Sequence, residues 1–357
     1  MTIKELQKIF PNATKATWHK HPNGGGWVEN TAIVDDTAYV GENAHVYGDA
    51  HVYGDAYVYG TACVSGTARV YGTAHVCGYA HVHDDARVYG DACVYGTAHV
   101  YGTAHVYGNA HVSGAARVSD DARVYGNAHV SGAAHVYGTA RVSDDARVYG
   151  TARVCGDARV YGTACVSDDA RVYGDAYLCG DARVYGDARV YGAARVHGNA
   201  YVYGDAYVCG DAHVYGNAHV SGAANVYGTA CVSDDARVYA TARVYGDAHV
   251  YGTARVYGTA YVYGDARVSD AARVYGAAHV SGGEWNRSPL YIQGSVWSVC
   301  MCDKEKIKIG CEEHTIKEWL ANHEDIGKAH DASDEVIAEY KLYIDLCAKR
   351  YLTSTAE

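Results

Sequence analysis

One hydrophobic pattern runs through most of the chain, because an aliphatic residue stands at every sixth position from Val28 to Val280. Of these 43 positions, 42 hold Val and the remaining one holds Leu178. An Ala precedes each later position by two residues, from Ala32 to Ala278. Residues two apart in an extended segment point to the same side, so each Ala and its Val are predicted to share a core. The residues on either side of the Val are predicted to face outward.

The positions between successive core pairs predict a turn. They mostly hold Gly or Asp, followed by Asp, Thr or Asn, and nothing is inserted or deleted along the pattern. Gly adopts positive φ without strain, and Asn and Asp tolerate the left-handed region. Each six-residue unit is therefore predicted to be a short strand plus a corner. Three units are predicted to close one triangular coil.

This pattern resembles the hexapeptide-repeat, left-handed parallel β-helix proteins, whose consensus places an aliphatic residue at every sixth position and a small residue two before it. The left-handed winding is implied by the resemblance alone, since parallel crossovers are ordinarily right-handed. We expect an all-β solenoid, a left-handed parallel β-helix of about 14 triangular coils. A short N-terminal helical cap and a small C-terminal α+β domain complete the expected fold.

Caps are expected at both ends, because an open solenoid end exposes unpaired strand edges. Residues 1–26 are predicted to form the N-terminal cap, 27–283 the β-helix and 284–357 a C-terminal α+β cap or interaction domain. Thr2 and Glu5 predict a capping box for a short helix that ends before Pro11. The Gly-rich stretch 24–26 is predicted to be a linker into the first coil and not a phosphate-binding loop.

Residues 284–357 leave the repeat and predict strands followed by helices. One strand is expected over 290–299 and a second over 306–309, with a turn between them. Thr315 and Glu318 predict a capping box for a helix over 316–329, with Trp319 and Leu320 inward, and Ser333 predicts the start of a helix over 334–351. Residues 309–319 resemble the tail of hexapeptide-repeat proteins common in phage and prophage genomes, which implies a virus-encoded protein.

The outward positions carry columns of Tyr beside columns made mostly of Arg and His, on all three predicted faces. One such set consists of Tyr89, Tyr107, Tyr125, Arg87, Arg123 and Arg141. These columns can serve the sheet alone, since Tyr favours strands and Arg packs across rings. They can also dock a partner, a second rod, or a small phosphorylated or aromatic ligand such as a nucleotide-like signal. The six residues are therefore candidates for ligand or partner binding.

The C-terminal segment holds the one concentrated group of metal-ligand residues. Cys300, Cys302, Cys311 and His314 lie within fifteen residues of one another. Zinc favours Cys and His in a tetrahedral set, so these four are candidate ligands of a structural zinc in a zinc-dependent interaction module. The alternative is that the thiols are reduced and packed in a small core. Apart from this zinc, we expect no cofactor.

The resemblance also implies an alternative function, because many hexapeptide-repeat proteins are acyltransferases that act between subunits. Their catalytic His lies beside a loop that leaves the helix, whereas the repeat here is unbroken from Val28 to Val280. A catalytic base needs a pocket and an orienting partner, and a repeating surface predicts neither. We therefore predict no catalytic residue and expect a non-catalytic scaffold or binding protein that forms a homo-oligomer.

Charge, hydropathy and cysteine spacing limit which partners and which cellular compartment we expect. The net charge of −11, from 41 acidic and 30 basic residues, argues against general nucleic-acid binding. No apolar run approaches the ~18–20 residues that span a bilayer, so no membrane association is expected. The twelve Cys have no framework spacing, which predicts free thiols in the cytoplasm, or in the host cytoplasm for a virus-encoded protein.

Overall fold

The computed structural model describes residues 1–354, with side chains through residue 350. The chain forms two compact units, Met1–Gly192 and Ala193–Glu357. The boundaries of the three predicted domains stay a prediction. Residues 355–357 of the predicted C-terminal domain lie outside the described residues.

The first unit opens with helix α1, Ile3–Leu6, followed by strands Trp18–Lys20 and Trp27–Glu29. The Thr2 side chain accepts a hydrogen bond from the Glu5 amide, and the Glu5 carboxylate accepts one from the Thr2 amide. These two bonds confirm the predicted capping box. Two-residue strands then recur every six residues, from Ile33–Val34 to Arg189–Val190.

Within each unit, consecutive repeat strands enter three parallel sheets in turn, so an interior strand pairs with the strands three before and three after it. In the first unit, Val88 is paired with Val70 and Val106. In the second unit the strands run from Arg195–Val196 to His279–Val280 on the same plan. The two units hold about 14 three-strand turns in all, which confirms the predicted parallel β-solenoid. The left-handed winding stays a prediction.

The core is a column of Val with Ala beside it. Every repeat Val from Val40 to Val280 is fully buried, as is Leu178, and so is every repeat Ala from Ala38 to Ala278. Val34 is only half-buried, because it lies in the first strand of its sheet.

The corners of successive coils pack closely against one another and are joined by hydrogen bonds to backbone amides. Gly66 has φ +67°, and a Cβ there would come 2.8 Å from the Asp84 amide nitrogen in the next coil. Asp84 itself has φ 59°, which Asp tolerates better than most residues. Its Oδ2 accepts a hydrogen bond from the Gly102 amide at 3.2 Å. Four other corner aspartates make the same bond one coil on, namely Asp120, Asp144, Asp168 and Asp234.

The N-terminal segment covers the first edge of one sheet. Strand Trp18–Lys20 pairs antiparallel with Trp27–Glu29, and Leu6, Trp18 and Trp27 form a small buried cluster. The Gly-rich stretch packs tightly, because a Cβ on Gly24 would come 2.4 Å from the Val40 carbonyl oxygen. The glycines therefore let this cap lie directly on the backbone of the next coil.

The second unit ends in a different kind of sheet. Strand Glu284–Trp285 still pairs with Arg267–Val268 in parallel. A four-stranded antiparallel sheet follows, formed by Tyr291–Gln293, Ser298–Met301, Lys306–Ile309 and Glu312–Thr315. The single strand predicted over 290–299 is wrong, because the chain turns between its two halves and the Gly294 amide donates to the Trp297 carbonyl at 3.1 Å.

Two helices pack against each other beside this sheet, α2 at Ile316–Ala329 and α3 at Asp334–Ser354. The predicted capping box of Thr315 and Glu318 is confirmed. Trp319 is buried and its Nε1 donates to the Ile307 carbonyl at 2.8 Å. Leu320, predicted to face inward, is 38% exposed, because the turn of α2 places it away from the sheet. None of the described helices is long and apolar enough to cross a bilayer.

Candidate functional site

The longest aromatic stack lies on one sheet of the first unit and includes the three Tyr predicted as binding residues. It contains five rings, Tyr53, Tyr71, Tyr89, Tyr107 and Tyr125. Successive ring centroids are 4.7, 4.8, 4.8 and 5.0 Å apart, and the planes differ by at most 4°. These spacings match the ~4.8 Å between neighbouring strands, so the backbone ladder dictates the ring ladder.

A cationic column runs beside this stack, two residues earlier on each strand. Backbone pairing places Arg87, His105, Arg123 and Arg141 one above another. The three Arg side chains are exposed and form no ion pair with a carboxylate among the described residues. His105 presents its edge to Tyr89, with ring centroids 6.1 Å apart. We call this combination of Tyr53–Tyr125 rings and Arg87–Arg141 side chains the Tyr/Arg strip.

The strip carries its positive charge on Arg and keeps its phenols neutral. Burial raises the pKa of Tyr89 and of Tyr107, and the neighbouring Tyr rings add to the rise while nearby Arg side chains oppose it. The hydroxyls therefore remain protonated and can donate hydrogen bonds. A neutral row of hydroxyls beside a row of guanidinium groups is suited to anionic, planar ligands.

Shorter stacks occur on other faces, so the Tyr columns are a general feature of the fold. The first unit has Tyr173 on Tyr191 at 4.9 Å. The second unit has two three-ring stacks, Tyr227–Tyr245–Tyr263 and Tyr239–Tyr257–Tyr275. Their spread over several sheets is what a purely structural role predicts. The Tyr/Arg strip differs from them in its length.

Grooves open in the first unit where a small residue interrupts a Tyr column. One groove of about 240 Å³ is lined by Tyr137, Arg153, Cys155, Arg171, Tyr173 and Arg189. Cys155 lies one coil from each of the two Tyr, which are therefore two strand spacings apart, or ~9.6 Å. A planar ring above Cys155 would meet both Tyr rings at the ladder spacing. We call this space the Cys155 groove.

The His residues of the repeat behave as members of the same columns. His81 stacks on His99 at 4.9 Å, and His111 stacks on His129 at 4.8 Å. Burial lowers the pKa of His81, His99 and His129, with a smaller contribution from neighbouring positive side chains. The predicted acyltransferase site would lie between subunits, so a single chain does not test that alternative.

The four predicted zinc ligands are spread over the C-terminal sheet. Cys300 and Cys302 are buried, and burial raises their pKa to about 12 and about 11. The Cys300 thiol donates to the His279 carbonyl at 3.3 Å. Cys302 begins the hairpin turn, whereas Cys311 follows the strand end that lies beside Ser298, at the opposite end of the hairpin. Two of the four are thus protonated core thiols.

A different group of ligand-type side chains converges nearby, in Cys311, Glu312 and His330. One ligand atom from each lies within 4.8 Å of the others. Glu312 Oε1 is 3.1 Å from His330 Nε2, and Oε2 is 3.0 Å from His314 Nε2. These two hydrogen bonds lower the pKa of Glu312. Sequence spacing gave no signal for His330, because its position depends on α2 folding back along strand Glu312–Thr315.

An apolar pocket lies next to this cluster, between the sheet and the two helices. Its volume is about 40 Å³, and its walls include Trp297, Trp319, Ile326 and Tyr340. His323 also lines it, and the Nδ1 atom of His323 is buried without a hydrogen-bond partner in the described part of the chain. The pocket is small, and Cys311, Glu312 and His330 are also part of its lining.

Comparison with known proteins agrees with the fold. A family model described as YdcK Beta solenoid repeat matches residues 116–132, 122–138, 182–198 and 260–276. No curated protein matches the chain. The matched segments all fall within the repeat. Together with the parallel sheets of each unit, they support a repeat β-helix protein, and the chain provides a β-solenoid scaffold.

Proposed function

We propose that the protein is a non-catalytic β-solenoid scaffold that binds a partner or a nucleotide-like ligand through its Tyr and Arg columns. The observation that carries this proposal is the Tyr/Arg strip, where exposed Arg87, Arg123 and Arg141 lack carboxylate partners among the described residues. Arg without an internal partner can pair with a phosphate, and its planar fork makes two bonds to one.

The ring spacing indicates where a ligand's own ring would go. Rings 4.8 Å apart, as between Tyr89 and Tyr107, leave no space for another ring between them. A base would instead stack where a column is interrupted, and the Cys155 groove offers such a place, with Arg153 and Arg171 beside it for a phosphate. The strip belongs to a different sheet, so it would serve a protein partner or a longer anionic ligand independently of the groove.

Calorimetric titration of the full chain tests this proposal, using cyclic and linear nucleotides with inorganic phosphate as the reference. The double variant Arg153→Gln/Arg171→Gln, which removes the two Arg side chains beside the Cys155 groove, should bind at least about tenfold more weakly, since a charged hydrogen bond contributes ~1.5–3 kcal/mol. Lys8→Gln/Lys15→Gln removes the same charge from the exposed N-terminal segment and should bind normally. Equal affinities for the two double variants, or no heat with any nucleotide, would contradict the nucleotide proposal.

Self-association is the second use that the columns support, and we propose a homo-oligomer. Several Tyr side chains of the first unit are exposed to solvent, with exposures of 38–65%. They are Tyr57, Tyr59, Tyr79, Tyr95 and Tyr149. Exposed aromatic area of this kind is a common starting point for association between copies of a protein.

The origin and compartment are proposed on separate grounds. The phage or prophage origin rests on the resemblance of residues 309–319 to the tails of such proteins. The cytoplasmic setting, which would be the host cytoplasm for a virus-encoded protein, is supported by the cysteines. All twelve lie in the described part of the chain and are free. Free thiols persist most readily where glutathione and thioredoxin keep them reduced.

A further inference from the structure

The cluster of Cys311, Glu312 and His330 brings together a thiol, a carboxylate and an imidazole, the three donor types that zinc takes in proteins. Their ligand atoms lie within 4.8 Å of one another. Zinc holds its ligand atoms at about 2.0–2.3 Å, so the three must approach one another slightly on binding. Because Cys311 and His330 are exposed and Glu312 is half-buried, small side-chain rotations can achieve this.

Trp297 contacts both segments that carry the cluster, namely the turn before Cys311 and the end of α2. Gly310, just before Cys311, has φ +59°, and a Cβ there would come 2.9 Å from Trp297 Cδ1. Glycine therefore lets the indole lie directly on this turn, whose amide donates to the Ser298 carbonyl at 3.1 Å. The same indole meets the His330 ring edge-on at 6.3 Å. The turn and the end of α2 thus share one packing partner.

Glu312 is oriented from its far side. His314 binds Oε2 of the carboxylate, which leaves Oε1 directed towards His330. An imidazole that fixes a ligating carboxylate in this way is a common outer contact of metal sites. The His330 ring would exchange its hydrogen bond with Glu312 for a bond to the ion, while the contact with His314 could remain.

We propose that Cys311, Glu312 and His330 bind a zinc ion, with His314 positioning Glu312 and a fourth coordination position open to water or to a ligand from a partner. The ion would tie the end of α2 to strand Glu312–Thr315. Binding releases the Cys311 thiol proton to solvent. This set shares Cys311 with the group predicted from the sequence and uses neither Cys300 nor Cys302, which are buried in the core.

Cobalt(II) titration of the chelator-treated full chain, kept reduced with a non-thiol reductant, tests the proposal. We expect one cobalt per chain, a thiolate-to-cobalt charge-transfer band, and displacement of the cobalt by zinc. Cys311→Ser should remove the band. His330→Gln and Glu312→Gln should each weaken affinity at least tenfold, and His314→Gln should weaken it by roughly 10–100-fold, as outer contacts do.

Two control variants locate the site. Cys77→Ser removes a half-buried thiol from the repeat and should leave the band unchanged. An unchanged band in Cys311→Ser, or its loss in Cys302→Ser alone, would overturn the proposal. Circular dichroism checks that each variant is folded, and His330→Gln gives an independent result with the Cys311 thiol intact. Nucleotide binding to the repeat is measured separately, so failure of one proposal leaves the other standing.

Discussion

Single side chains carry unusual weight in this fold because the core is thin. Each coil places three aliphatic side chains and three Ala in the interior. They contact one another and are closed off from solvent, as Val142 and Ala140 illustrate. A charge introduced at Val142 would be buried away from water. The residues paired with it in the coils above and below are Val124 and Val160, which cannot neutralise or hydrogen-bond the charge. Outward residues on the same strands face solvent directly. Substitutions one residue apart should therefore differ sharply.

Val142→Asp should destabilise the coils around it by about 3–5 kcal/mol, the penalty typical of an uncompensated buried charge. Val142 is fully buried and its strand neighbours are Val124 and Val160. Hydrogen exchange should show faster opening over residues 124–160. Arg141→Asp alters the adjacent, exposed position and should change stability by less than about 0.5 kcal/mol. Similar effects from the two variants would contradict the alternation of inward and outward positions.

Ala240→Gly should stabilise the second unit by up to about 1 kcal/mol. Ala240 stands at a corner with φ 62°, where an L-residue other than Gly is strained by ~1–2 kcal/mol. The added flexibility of Gly in the unfolded chain offsets part of this gain. Ala115→Gly is the matched control at an exposed corner position, and it should destabilise. Urea midpoints measure both changes, and a lower midpoint for Ala240→Gly would show that the corner is not strained.

Strands and columns form the next level of organisation. A two-residue strand has few backbone groups that can form hydrogen bonds, and all of its ladder bonds go to strands 18 residues away in sequence. The corners add to this, for example where the Thr103 hydroxyl donates to the Asp121 carboxylate of the next coil at 2.5 Å. Ring stacking then extends the same spacing outside the backbone. Any change that completes a column should stabilise it.

Cys155→Tyr should raise the urea midpoint, because the new ring can stack on Tyr137 and Tyr173, with ~0.5–1.5 kcal/mol expected for each aromatic pair. The same ring would fill the Cys155 groove and abolish nucleotide heat. Cys77→Tyr completes a different column, between Tyr59 and Tyr95, where the residues two before are Tyr57, His75 and Cys93 instead of Arg. The Cys77→Tyr variant should be stabilised by a similar amount and should still bind nucleotide. Retained binding by Cys155→Tyr would place the ligand elsewhere.

Acid should weaken the His columns before it affects carboxylates. Burial lowers the pKa of His81, His99 and His45, and His45 is 3% exposed. Above the ordinary His pKa of ~6.5, these rings are neutral in the folded and unfolded chains alike. Below it the unfolded chain takes up protons first, so stability falls as the pH drops, until the lowered pKa of the folded state is passed.

Urea midpoints between about pH 8 and about pH 5 measure this loss, within the range where His titrates. His81→Tyr/His99→Tyr keeps two stackable rings and removes two titrating groups, so its profile should be flatter than that of the parent chain. A parent midpoint that is constant or rises towards pH 5 would show that the His columns do not accept protons more readily on unfolding.

The sequence predicted the repeat almost completely because local pattern and fold coincide there. Within each six-residue unit, Ala and Val specify a short strand with a buried face, and Gly or Asp specifies the corner. The same local pattern then recurs in every unit. The capping boxes at Thr2 and Thr315 were equally local and were confirmed. The strand break at Gly294 and the meeting of His330 with Glu312 depend on how distant elements pack. Such contacts have no signature in spacing.

Stability in the molecule as a whole accumulates from neighbouring coils, as expected for a solenoid, so no single coil is essential and the surface can vary freely. Function in such a protein is then expected on its exterior. The cationic and aromatic columns are the exterior features with the most defined chemistry, and the C-terminal cluster is a second, separate feature. Neither needs a deep cavity.

Native mass spectrometry of the purified full chain, beside its Arg87→Gln/Arg123→Gln variant, tests most directly whether the outer columns make the protein's contacts. We predict that the parent chain is detected as an oligomer or with an anionic ligand or protein partner bound along the strip, and that the variant loses this binding while staying folded. A bare single chain in both samples, or a complex that the variant retains unchanged, would contradict a binding role for the Tyr/Arg strip.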